Sequence, residues 1–231
     1  MAQGIIMVEA GLPLLNLLRL ASPALPVGAY AYSQGLESAV EFGWVRDEAS
    51  LRAWLAGLLT QGLAWLDVPV LARLYRAWQD DDIRTVKDWT AQLYACREAA
   101  ELRLEERQLG AALARLLAEL DMAGAASWRR AEPVCFATLF ALAAVRWNIP
   151  LPVAATGYLG AWCENQLAAA NKLMPLGQIA GQRVLTALQP ALLEAVAIGL
   201  ALPDDEIAGS LPGLGLACAL HETQYSRLFR S

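Results

Sequence analysis

The chain has 231 residues, a formal net charge of −5, a hydrophobic fraction of 57% and only 18% charged side chains. That length buries a substantial core in one large domain or two small ones, and the acidic balance excludes a general attraction to nucleic acid or an anionic membrane. Ala and Leu dominate, which favours helices, and the surplus apolar surface must be buried in a core or against partner chains.

Leu12, Leu14, Leu15, Leu17, Leu18 and Leu20 make the first helix apolar nearly all round, a mark of deep burial or of an interface. Pro23 biases Ser22 out of the α region and ends that helix. Residues 20–37, L-A-S-P-A-L-P-V-G-A-Y-A-Y-S-Q-G-L-E, then pack prolines, glycines, tyrosines and serines into one stretch. Pro26 and Gly28 suit the second and fourth positions of a type I turn, a structural role. Ser33 is placed to cap a helix starting near Gln34, with Glu37 close to its positive end. Local chemistry reads the stretch as a connector between helices. Tyr30 and Tyr32 resist that reading, because large aromatics in a rigid turn are what an interface favours.

The helix after this stretch fades by Gly43, and Asp47 or Ser50 caps the next, with Leu51, Trp54, Leu55, Leu58 and Leu59 on one face. Asp67 opens another, with Pro69 in its first turn and a stripe through Val70, Leu74 and Trp78. Asp80, Asp81 and Asp82 lack the spaced pattern and closing Glu of a calcium loop and read as caps in a solvated turn. Residues 83–120 form one long helix or two. The mixed charges from Arg97 through Glu101, Glu105 and Glu106 to Arg107 predict a solvent face. Glu132 and Pro133 open an apolar helix ending near Trp147, and Pro150 and Pro152 introduce a longer one that runs toward Asn171. Pro175 breaks it, residues 176–188 are helical, Pro190 kinks or restarts that helix, and a last helix covers about 213–222. No stretch alternates with period two. The predicted fold is all-α, a single domain over residues 1–231 with about ten helices and no sheet.

Catalytic and metal motifs are scarce. There is no G-x-x-x-x-G-K-[ST] and no G-x-G-x-x-G, and Ala31 replaces the first glycine of a nucleophile elbow around Ser33. His221 is the single histidine, and H-E-T-Q-Y lacks the second His of H-E-x-x-H. Cys96, Cys135, Cys163 and Cys218 form no C-x-x-C pair and read as small buried hydrophobes in a reducing, cytoplasmic setting. No autonomous enzyme and no metal site within one chain are expected; a transient or dimer-shared site stays open. No charged leader precedes an apolar run, and the uncharged runs 20–36 and 147–163 are broken by prolines, so neither reads as a bilayer span.

Two more blocks stand out. In N-K-L-M-P-L-G-Q-I-A-G-Q-R, residues 171–183, Lys172 sits where a cation complements a helix C-terminus, and Gln178, Gly181 and Gln182 share one face of the next helix. The tail, H-E-T-Q-Y-S-R-L-F-R-S, places Tyr225, Leu228 and Phe229 at i, i+3 and i+4 beside Arg227 and Arg230. Burying Leu and Phe yields about 1.5–3 kcal/mol each, against about 1–2 kcal/mol per residue ordered. Such a tail orders on a partner or packs back on its own core.

These three blocks, in this order, resemble the urease accessory protein UreF family; Ala31 departs from it, since relatives commonly carry serine there. The resemblance implies an all-helical, non-catalytic homodimer that binds UreD (also called UreH) and the GTPase UreG. That complex acts on apo-urease, supporting GTP-dependent nickel insertion and carbamylation of the active-site lysine. It implies no stably bound cofactor and no metal ligands here, nickel passing through the partner complex. By position, Lys172, Gln178, Gln182 and Arg183 in the second block would contribute to function or partner contact; in the first, Tyr30, Tyr32, Ser33 and Glu37 are the candidates, the two tyrosines either touching a partner or bracing the fold. In the third they are His221, Gln224, Tyr225, Arg227, Leu228, Phe229 and Arg230, a tail (221–231) that docks with UreD or builds the UreG platform. The alternatives are a GTPase activator using Arg230 or Arg183 as an arginine finger, and a nickel-relaying metallochaperone.

Overall fold

The computed structural model describes the backbone of residues 2–231 and side chains from residue 11 onward. Among the described residues every regular element is helical: α1 (Ala2–Leu20), α2 (Leu36–Glu41), α3 (Glu48–Leu58), α4 (Asp67–Gln79), α5 (Ile83–Ala95), α6 (Ala100–Glu119), α7 (Phe136–Arg146), α8 (Leu151–Leu173), α9 (Gln178–Ala201) and α10 (Pro212–Glu222). The all-α, ten-helix expectation therefore holds. Polar side-chain caps set two of the helix starts. Asp47 accepts the Ser50 N–H at 2.8 Å while the Ser50 hydroxyl accepts the Asp47 N–H at 3.1 Å, a reciprocal cap on α3. Asp82 accepts the Thr85 N–H at 3.1 Å and starts α5, which gives the aspartate run its capping role.

The centre is α4. It packs against α5, α7, α8 and α9, and from Asp67 to Trp78 only Arg76 is not buried. A helix surrounded on all sides needs apolar residues all round, so the sequence stripe of Val70, Leu74 and Trp78 is only part of its buried surface. Trp78 donates its indole N–H to the Thr138 carbonyl at 2.9 Å and meets Trp128 edge-on, with ring centroids 6.0 Å apart. Gly199 lets α9 approach α4: a Cβ there would stand 2.6 Å from Val68 Cβ and 2.9 Å from the Ala64 carbonyl oxygen. Gly199→Ala is expected to lower stability by about 1–3 kcal/mol through overpacking, read by chemical denaturation.

Several expectations change. Residues 83–120 are two helices, parted at residues 96–99. Pro190 lies inside a continuous α9, because tertiary packing holds the helix through one missing backbone bond. α2 starts at Leu36 rather than near Gln34, since Gln34 and Gly35 both take left-handed backbone angles. In the preceding loop Val27 N–H bonds to the Leu25 carbonyl at 2.7 Å across Pro26, and Gly28 has φ +84° ahead of the turn at Ala29–Ala31. The charged run of α6 is not a solvent face: Glu101, Glu105 and Glu106 are buried.

On the first helix Leu17 and Leu20 face inward, whereas Leu12, Leu14, Leu15 and Leu18 are each more than half exposed. α9 has the length and apolarity of a bilayer span, yet one face of it is seated on α3, α4 and α8.

Candidate partner-binding site

The three sequence blocks meet in space. The C-terminal segment lies back across the N-terminal loop, with Arg230 N–H donating to the Ala31 carbonyl and Ser33 N–H to the Ser231 carbonyl, both at 2.8 Å. Glu37, in the first turn of α2, accepts the N–H groups of Leu228 at 2.7 Å and Phe229 at 2.9 Å. Gln108 ties both to α6: its side-chain oxygen accepts the Tyr32 hydroxyl at 2.6 Å and Arg230 at 3.2 Å. From the second block, Lys172 sets its ammonium 5.9 Å from the Tyr30 ring and 5.3 Å from the Phe229 ring. A cation at those distances is drawn to both aromatic faces, so Lys172 bridges loop and tail besides ending α8. Gly35 permits the approach of α10: its φ is +76°, and a Cβ would fall 3.0 Å from that of Ala217.

Beneath this assembly runs a cleft of about 470 Å³, bordered by Tyr30, Gln34, Trp162, Asn171, Gln178 and Gln182 and floored by charged side chains. Arg97 lies on that floor and bridges Asp67 and Glu106, and the Tyr158 hydroxyl approaches Asp67 at 3.4 Å. Burial works to lower the Arg97 guanidinium, but Asp67 and Glu106 outweigh it and hold the group well above its ordinary range. Burial, followed by Asp67 and Glu106, pushes the Tyr158 hydroxyl far up. Glu105 has no such cation in contact. Burial raises its carboxyl to about 7, although Gln34 at 2.8 Å and Ser231 at 3.2 Å donate to it. Gln34 also accepts the Trp162 indole N–H at 2.6 Å, linking the loop to α8.

The predicted residues divide cleanly by exposure. Tyr30, Lys172, Gln178, Gln182, Tyr225, Arg227, Leu228 and Arg230 are exposed, and Gln224 is half-buried, accepting the Ser38 hydroxyl at 3.1 Å. Tyr32, Ser33, Glu37, His221 and Phe229 are buried inside the chain and brace it, so in this conformation they offer no surface to a partner. Arg183 points elsewhere, paired with Glu48 at 2.6 Å and 3.1 Å. The tail packs back on its own core instead of waiting for a partner, because Phe229 and Ser231 find buried places and Glu37 takes its N–H groups. Tyr225 and Leu228 stay outside, Leu228 being 71% exposed.

Sequence reasoning missed Asp67, Arg97, Glu105, Glu106 and Gln34 as site residues. No local signal marked the pair: Arg73, Arg76, Arg84 and Lys87 all lie between Asp67 and Arg97 along the chain, and an acidic residue is at home in the first turn of a helix without a cation. Cys135, Cys163 and Cys218 are buried and Cys96 half-buried, all free, and burial pushes the Cys163 and Cys218 thiols up to about 12. The two carboxylates beside His221 lie on opposite ring nitrogens and do not converge on one point. Among the described residues no group of three His, Cys, Asp or Glu side chains is arranged to hold a metal ion.

The family model for UreF matches residues 45–189. Over 221 residues the chain is 55% identical to the urease accessory protein UreF of Alkalilimnicola ehrlichii, spanning 96% of this chain and 97% of that one. It is 51% identical over 220 residues to the UreF of Chromohalobacter salexigens, with 95% of each covered. The UreF of Marinobacter nauticus is 50% identical over 220 residues, again 95% of each. This chain belongs to the UreF family. Its role therefore lies in urease maturation, as an accessory protein. The family match runs from Val45 into α9, so it omits the N-terminal loop and the tail. The alignments to the relatives extend over nearly the whole UreF chain.

Proposed function

We propose that this UreF is a non-catalytic cytoplasmic scaffold that docks on UreD, recruits the GTPase UreG and regulates its hydrolysis during nickel insertion into apo-urease. The observation that supports it is that three distant segments meet through Lys172, the Tyr30 loop and the tail, while Tyr30, Lys172, Tyr225, Leu228 and Arg230 stay exposed on them. Exposed aromatic and Arg side chains around a fixed backbone are the usual anchors of a protein interface. The outward leucines of α1 form a second apolar surface, suited to burial by UreD or by a second UreF copy.

The double substitution Tyr225→Ala with Leu228→Ala tests the face without touching the buried anchors. Tagged wild-type protein should capture UreD and UreG from a mixture of the urease gene products. The variant should lose at least one of them by about tenfold in affinity while unfolding at the wild-type temperature. Unchanged capture of both would remove the tail from the interface.

In the arginine-finger reading both candidates are exposed, Arg183 in a surface pair with Glu48 and Arg230 beside Gln108, and Arg230 is the one carried by the loop and tail assembly. In that reading Arg230→Ala abolishes any acceleration of single-turnover GTP hydrolysis by UreG; in the scaffold reading it weakens binding and leaves the saturated rate unchanged.

A further inference from the structure

His221 is fully buried, and both of its ring nitrogens meet carboxylates: Nδ1 lies 2.7 Å from Glu101 Oε2, and Nε2 lies 3.1 Å from Glu37 Oε2. An ionised carboxylate only accepts, and a neutral imidazole donates from one nitrogen alone. Satisfying both contacts therefore takes one proton more than a neutral ring and two carboxylates carry. The carboxylates are already committed as acceptors. Glu37 takes the N–H groups of Leu228 and Phe229, and Glu101 takes Arg227 at 2.9 Å. The extra proton belongs on the ring. We propose that His221 is held as an imidazolium between Glu37 and Glu101, and that this buried proton latches the C-terminal segment onto α2 and α6.

The latch joins three elements, since Glu37 is on α2, Glu101 on α6 and His221 on α10, and both other helices pack against α10. The other charged groups around it are few. Arg227 faces Glu101 from the tail. Glu105 lies one turn along α6 and holds the Ser231 hydroxyl. Glu98 and Glu222 stand at the rim, accepting the Ser210 hydroxyl at 2.6 Å and the Ala100 N–H at 3.2 Å. Cys218, one turn earlier on α10, stays a neutral thiol, pushed up by burial first and by these glutamates second. When the ring gives up its proton, a lone pair is set against a carboxylate, and Glu37 or Glu101 loses a donor. The segment is thus tightly held at lower pH and loosened at higher pH, and with it the display of Tyr225 and Leu228. This concerns the chain's own ordering and holds whichever partner docks there.

The chain has a single histidine, so the nitrogen-15 spectrum of the ring needs no assignment. The folded full-length protein should show both ring nitrogens protonated near neutral pH. Amide-exchange protection at Leu228 and Phe229 should fall about tenfold further between about pH 6 and about pH 9 than protection of the α4 amides, which reports the loss of global stability alone. Glu105→Gln should retain that fall, whereas His221→Gln should abolish it and leave the segment loose throughout. A neutral ring in the folded chain, protection indifferent to pH, or a fall that vanishes in Glu105→Gln would each overturn the latch. If His221→Gln does not fold, the wild-type ring spectrum and the Glu105→Gln profile decide the matter.

Discussion

Arg97→Met is expected to remove about 3–5 kcal/mol of unfolding free energy. Its guanidinium bridges Asp67 and Glu106, whose side chains are 4% and 9% exposed, and methionine keeps most of the volume while deleting the charge. Two carboxylates would then remain desolvated without a counter-ion. Glu106 would keep only its other contact, the Phe136 N–H at 3.0 Å. A urea titration near neutral pH, compared at unchanged slope, reads the loss. The same substitution in an Asp67→Asn, Glu106→Gln background should cost far less, because no buried charge is stranded. A small loss in the wild-type background would mean that water reaches these carboxylates. By contrast the Arg183–Glu48 pair is exposed on both sides, and removing it should change stability little.

The second large effect is a pH dependence set by Glu105. Its folded carboxyl is raised from 4.5 to about 7, chiefly by burial. A raised carboxyl means that the native state binds the proton more tightly than the unfolded chain does. The stability it lends is fully present below about pH 4.5 and is lost as pH rises through about 7, on the order of 3 kcal/mol in all. Glu105→Gln keeps an oxygen to accept Gln34 and an amide to meet Ser231, and it never ionises. The variant should match wild type in mild acid and exceed it at pH 8 by nearly that amount. Denaturation at several pH values separates the outcomes, and parallel profiles for the two proteins would show that Glu105 is solvated and ionises in the folded chain as it does in the unfolded one.

Much of the scaffold was legible because helix signals are local. Asp47 with Ser50, Asp82 with Thr85, and the prolines near the start of α8 act on backbone within one turn, and they stand where the pattern put them. The three site blocks were legible as composition: tyrosines in a turn, amides on a helix face and aromatics in a tail. What each residue does there was not. Tyr30 and Tyr32 are two residues apart and chemically alike, yet one is 67% exposed and the other 2%. Their fates part because Gln108, far along the chain, accepts the Tyr32 hydroxyl while Lys172 comes to the Tyr30 ring.

The charged run of α6 shows the same division most sharply. Read by itself, a mixed-sign run belongs in water, since burying any one of those charges unpaired costs several kcal/mol. Only one partner comes from the run itself, Arg97 pairing with Glu106; the others come from far along the chain, Asp67 on α4 meeting Arg97, His221 on α10 meeting Glu101, and Gln34 and Ser231 meeting Glu105. By itself the sequence determined helical class, most helix boundaries and the three blocks, because capping, turn formation and periodicity act over a few residues. Only the tertiary structure decided which charges are buried, which aromatics face outward and that the tail folds home, because those outcomes depend on pairs as far apart as Ser33 and Ser231.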